Sequence, residues 1–182
     1  TGGADVLFFP SSYKRAMKYG EKDSANEVMR NETLDSIQHS ESPLMVVTYP
    51  ESVFERVISS ADLNAKSLSL KTSQKIKISA VTYILHDFGF EKVDFVSQPG
   101  EYAVRGSVLD IFSYANEYPF RLDFFGDEID SIRTFDVESQ LSKDKKERIS
   151  VVSDVNGKDS AAVSLFDFIP NDMALAFSDF DF

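Results

Sequence analysis

Hydrophobic positions fall into two regimes along the chain. In the first 59 residues they come as short unbroken runs. Val6 to Phe9 (VLFF) and Leu44 to Thr48 (LMVVT) each read as a buried strand. Between them, Ser24-Ala25-Asn26-Glu27 has capping-box spacing, which predicts a helix from about Ala25 to Ile37 that ends in the HSESP turn. Pro50 suits a first helical turn, and Val53, Phe54, Val57 and Ile58 supply one apolar face behind it. Non-alternating strands separated by helices predict an α/β unit with a parallel sheet.

The pattern changes at SADLNAKS (60–67), which reads as a polar crossing between domains. Beyond it Leu68, Leu70, Ile76 and Ile78 alternate with polar residues. Val81, Ile84, Leu85 and Phe88 mark a helix over about 79–88, with Gly89 placed to end it. From Val93 to Phe135 short strands are separated by turn-prone Pro99-Gly100, Ala115-Asn116 and Gly126-Asp127. This predicts a small α+β unit with an antiparallel sheet. KDKKER (143–148) reads as a solvated connection and ISVV (149–152) as a last strand. A helix or turn near 160–166 and an apolar strand at 174–177 would follow. Both ends of the chain are abrupt, so an excised fragment is expected.

Composition narrows the function. With 42% hydrophobic residues and sixteen Phe, the 182-residue chain can build a core. Its apolar runs are too short to span a membrane. Cysteine is absent, which excludes thiolate metal sites and fits a reducing, cytoplasmic setting. A net charge of −11 argues against phosphate-gripping contact with nucleic acid and favours a protein partner. No G-x-x-x-x-G-K-[ST] is present, so no nucleotide site or other cofactor is expected. Asp123, Asp127, Glu128 and Asp130 lack the spacing of a calcium loop, and no metal site is assigned. His39 and His86 have no second histidine nearby. Ser11-Ser12 lacks the glycines of a phosphate-binding turn.

Against this acidic background, residues 101–141 place arginines and phenylalanines on short strands. In FRLDFFGDEID, Phe120, Leu122 and Phe124 alternate with Arg121, Asp123 and Phe125. If the first set faces the core, Phe125 lies beside Arg121 on the outer face, or else folds under the turn as a satellite core. A two-residue Gly126-Asp127 loop would set Asp123 against Asp130, so a bulge or longer loop is expected. Gly106 interrupts EYAVRGSVLDIF as a bulge or bend that would aim Arg105 outward. Arg105 could share a face with Arg121, or pair with an acid such as Glu101 or Asp123.

PGEYAVRGSVLDIF followed by YPFRLDFFGDEIDSIRTFD resembles the UvrB-homologous module of bacterial transcription-repair coupling factors, closely over roughly residues 89–141. FPSSYKR, VVTYPES and SLFDFIPND resemble the flanking segments of that family. UvrB itself is a poorer match. Gln98, Pro99 and Ala103 stand where it carries arginines, and its phosphate loop and tyrosine-rich hairpin have no counterpart here.

The resemblance implies a degenerate helicase-like parallel α/β domain (1–64 and 153–182). Inserted in it would be an α+β domain (65–152) that docks the damage-recognition ATPase UvrA. Arg105 and Arg121 would pair with acids on UvrA, and Phe125 would be the apolar anchor. The chain would then be a non-catalytic recruitment module in nucleotide excision repair. RNA polymerase and DNA would be contacted only by other parts of the full-length, ATP-driven translocase. The alternatives are a DNA-binding or ATPase-linked domain of a UvrB-type helicase, and an unrelated hydrolase using the acidic hairpin.

Overall fold

The computed structural model describes residues 5–12, 24–40, 43–154, 162–174 and 176. Strands β1 (Asp5–Phe9) and β2 (Leu44–Thr48) pair in parallel, from Asp5↔Leu44 to Phe9↔Thr48. Helix α1 (Ser24–His39) connects them and packs on both strands. This is the expected β-α-β start, and the rest of the region departs from expectation. Helix α2 is only Pro50–Val53, because Val57–Ile58 (β3) instead pairs antiparallel with Ala162–Val163 (β12). Phe54 is left exposed. Among the described residues β1–β2 is a two-stranded sheet, and most of the strand pairing is antiparallel.

The presumed crossing at 60–67 is mostly helix α3 (Ser60–Ala65). The hydroxyl of Ser59 accepts from the Asp62 amide at 3.1 Å and donates to the Asp62 carboxylate at 2.9 Å, capping the first turn. Leu63 is carried into a core with Phe9, Leu34, Ile58 and Leu165, the last from α5 (Leu165–Phe168).

The second region is built on a six-stranded sheet. In spatial order its strands are β10 (Ser142–Lys146), β9 (Glu128–Phe135), β8 (Phe120–Phe125), β7 (Val108–Ile111), β6 (Glu101–Arg105) and β5 (Glu91–Lys92). All neighbours are antiparallel except β5 and β6. KDKKER is therefore no free connection. It supplies an exposed edge strand, β10, and then enters β11 (Arg148–Val152), which pairs with β4 (Ser67–Lys71). A lysine-rich edge discourages pairing with further strands.

Helix α4 (Ile78–Asp87) lays Val81 and Leu85 on Leu70, Leu109, Leu122 and Ile132 from β4 and one face of the sheet. It stops as the sequence predicts. Gly89, at φ +81°, donates to the His86 carbonyl at 3.0 Å, and the Phe90 amide donates to the Leu85 carbonyl at 2.9 Å. These are the two bonds of a Schellman cap. The strand expected at 174–177 falls on residues of which only Ala174 and Ala176 are described, and Ser160 also lies outside the described residues.

Among the described glycines, Gly100 in the Pro99-Gly100 turn makes the tightest approach to a neighbour. Gly100 has φ +90°, and a Cβ there would lie 2.6 Å from Cζ of Tyr114 and overlap its hydroxyl. Gly100→Ala is expected to cost about 2–3 kcal/mol, from backbone strain plus overpacking. Urea unfolding of the two proteins measures it, and equal midpoints would refute it.

Candidate functional site

One face of the central sheet is spent on the core, and this dictates what the other can present. Tyr102, Leu109, Ile111, Phe120, Leu122 and Phe124 all point into the main cluster. Alternation therefore turns Ala103, Arg105, Asp110, Arg121, Asp123 and Phe125 to the opposite face. The register aligns Ala103↔Asp110↔Arg121↔Arg133 in one row and Arg105↔Val108↔Asp123↔Ser131 in the next.

The bend at Gly106 proves to be a full reversal. Arg105 pairs with Val108, so Gly106-Ser107 is a two-residue hairpin turn with Gly106 at φ +60°. Gly126-Asp127 is a second turn of the same length, with Gly126 at φ +62° and Phe125 opposite Glu128. Glycine with positive φ in the first loop position is what a type II′ hairpin needs. The expected bulge is present. Pairing steps from Asp123↔Ser131 to Phe124↔Ile129, leaving Asp130 out of the ladder. Asp123 thus faces a serine hydroxyl, which donates to it at 3.0 Å, and no second carboxylate.

The arginines share one acid. Asp110, 1% exposed, accepts from Arg121 Nε at 2.7 Å and Nη2 at 2.9 Å, and also pairs with Arg105 Nη2. Arg121 is further fixed by Gln140 Oε1 at 3.0 Å and lies 4.1 Å above the Phe135 ring. Its hydrogen bonds to Asp110 hold its pKa above the ordinary arginine value. Asp123 is taken by Arg133, the residue across from Arg121. Neither Glu101 nor Asp123 pairs with Arg105, so the expected partners are replaced by Asp110.

Burial differs across the group. The Arg121 side chain is 15% exposed and that of Arg105 is 36% exposed, while Phe125 stands 85% exposed. The satellite-core reading of Phe125 is therefore incorrect. The structure brings Arg105 and Arg121 together on Asp110, with Phe125 on the same strand face as Arg121.

Asp110, Arg133 and Phe95 were not singled out from sequence. For Asp110 the signal existed: a carboxylate inside VLDIF, a strand buried on both sides, requires a cation. Arg133 sits in the alternating IDSIRTF run. Phe95 had no comparable signal, because it lies in the 93–99 loop.

That loop is pinned by Glu101. Its carboxylate accepts from the amides of Ser97 at 2.6 Å and Gln98 at 3.1 Å and from the Ser97 hydroxyl at 3.0 Å. Burial pushes the Glu101 pKa up, but these donors outweigh it and the net position is below the ordinary 4.5. A depressed carboxylate contributes stability that is complete above 4.5 and disappears as pH falls through its lower folded value. Glu101→Gln is therefore expected to be less stable than the native chain at neutral pH. It should also lose less stability between about pH 5 and pH 3. Urea titrations across that range measure both limbs, and parallel pH profiles would contradict the assignment.

Residues 68–155 match the family model described as the UvrB interaction domain. The chain is similar to the transcription-repair-coupling factor of Escherichia coli (strain K12), at 40% identity over 63% of this chain and 10% of that protein. The factor of Haemophilus influenzae is 33% identical over 81% of this chain and 13% of the relative. That of Bacillus subtilis (strain 168) is 25% identical over 75% and 12%. The chain spans roughly a tenth of the length of the curated relatives it matches.

Proposed function

Because residues 68–155 belong to the UvrB interaction domain family, we propose that this chain is a protein-docking module that recruits UvrA during transcription-coupled nucleotide excision repair. The observation that carries the reading is the outer sheet face. Phe125 projects into solvent from the strand that carries Arg121, and Asp110 fixes Arg121 and Arg105 side by side. Aromatic and arginine side chains dominate interface hot spots. A fixed guanidinium also loses less entropy on meeting a carboxylate than a freely rotating one. Phe125 is the apolar anchor in this reading, and Arg105 and Arg121 meet acids of UvrA.

The division into a helicase-like α/β part (1–64 and 153–182) and an inserted docking domain (65–152) is part of the same proposal. Its support is the separation of cores. Residues 68–151 supply the main one, and Phe9, Leu34, Leu63 and Leu165 form the other together with Ala115 and Val152 from the docking segment. Among the described residues, the support for a parallel α/β sheet is limited to the β1–β2 pair and α1. The segment is assigned no catalysis and a cytoplasmic setting. Contacts to RNA polymerase and DNA, and the ATP-driven motor, are assigned to other parts of the full-length protein.

Gel filtration of the purified chain with UvrA, without nucleotide or DNA, tests the reading. Co-elution is expected. Separate elution, or a shift of DNA by the chain alone, would overturn it.

A further inference from the structure

We infer that Phe95 is a second apolar anchor of the same docking surface, so that the partner presents two apolar recesses on either side of an acidic group. The inference rests on the UvrA-docking reading above and extends it across the sheet to the loop before β6.

Phe95 is 64% exposed, yet its segment is tied down on both sides. On one side, the Asp94 carbonyl accepts from Arg105 Nη1 at 3.2 Å. On the other, Val96 is buried with Ala103, Phe112 and Phe135 in a small apolar cluster separate from the main core, and the amides of Ser97 and Gln98 are held by Glu101. The ring itself lies beside the guanidinium of Arg105, 4.9 Å from its centroid. Apart from that contact, an aromatic side chain held out in water by a fixed backbone adds little to the fold. It does have most of its ordering cost met before a partner arrives.

The placement links Phe95 to the sheet face through Arg105. Phe95 touches Arg105 on β6. Arg105 opposes Val108, Val108 opposes Asp123, and Phe125 lies two residues beyond Asp123 on β8. Both rings therefore sit at the hairpin end of the sheet, with the half-exposed Arg105 between them. Asp110 takes Nη2 and the Asp94 carbonyl takes Nη1, and the remaining N–H groups of this 36% exposed side chain face a carboxylate of the partner. Ring, cation and ring in sequence suit an acidic side chain bracketed by hydrophobic recesses.

The test is calorimetric titration of UvrA with the full chain and its variants Phe95→Ala, Phe95→Tyr, Arg105→Ala and the double variant. Phe95→Ala is expected to bind at least fivefold more weakly and Phe95→Tyr within twofold of the native chain. The double variant should lose less than the product of the single losses. Unfolding midpoints of Phe95→Ala and Phe95→Tyr should stay with that of the native chain, since the ring is not part of the core. Full affinity in Phe95→Ala while Phe125→Ala is weakened would overturn this inference and leave the docking reading intact. If the native chain itself fails to bind UvrA, both fall together.

Discussion

Replacing Phe125 with alanine should weaken UvrA binding by tenfold or more and leave the fold unchanged. The two halves of that expectation come from one fact: the ring is 85% exposed. It contributes no burial to the isolated chain, so the unfolding midpoint should not move. Burying a phenylalanine side chain in a partner is worth about 1.5–3 kcal/mol, which is one to two orders of magnitude in affinity. The hairpin makes the effect large. The Gly126-Asp127 turn and the bulge at Asp130 hold Phe124 inward at 5% exposure, which forces its neighbour outward. A Phe125→Leu variant should recover part of the loss. Calorimetry and thermal unfolding of the same preparations separate the two readouts. Unchanged affinity in Phe125→Ala would remove the ring from the interface.

The second large effect is on stability. Asp110→Ala should destabilise the sheet by about 3 kcal/mol, because it strands charges that the fold has partly withdrawn from water. Asp110 is the shared acceptor of Arg121 and Arg105. Arg121 also faces Arg133 directly across the strand pair, and like charges so placed repel. Asp110 and Asp123 interleave with these three arginines and leave a single net positive charge. Removing Asp110 leaves Asp123 alone against three guanidinium groups. Asp110→Asn keeps the shape and one carbonyl acceptor, so it should be the milder change. Urea unfolding ranks the three proteins. An alanine variant as stable as the native chain would show that the cluster is solvated and unimportant to the fold. UvrA binding should weaken in both variants, since the guanidinium groups lose their common reference point.

What the sequence made legible depended on how strongly each feature constrains the backbone. Gly89 ends α4 because only a residue tolerant of φ +81° can close that cap. A bulge or a longer loop was predictable because simple pairing would set Asp123 and Asp130 face to face, and the bulge is the one the chain adopts. Phe125 could not be decided from periodicity alone, because alternation assigns a face and says nothing about what covers it.

The failures have equally local causes. Ser59 and Asp62 form a cap, yet 60–67 reads as a linker because its only large apolar residue is Leu63. The edge strand β10 is polar on both faces, so it carries no two-residue alternation to detect. Val57 and Ile58 continue the apolar pattern of α2 but serve a strand pair with residues more than a hundred positions away. Arg105 and Arg121 were visible, but Asp110 between them was hidden inside an apolar strand. That single buried carboxylate holds both arginines.

The most direct measurement is a calorimetric titration of UvrA into the native chain and into the Arg105→Ala/Arg121→Ala/Phe125→Ala triple variant, with circular dichroism as the check on folding. Saturable binding by the native chain and no detectable binding by a folded triple variant is the predicted result. Equal binding isotherms for the two proteins would contradict the account.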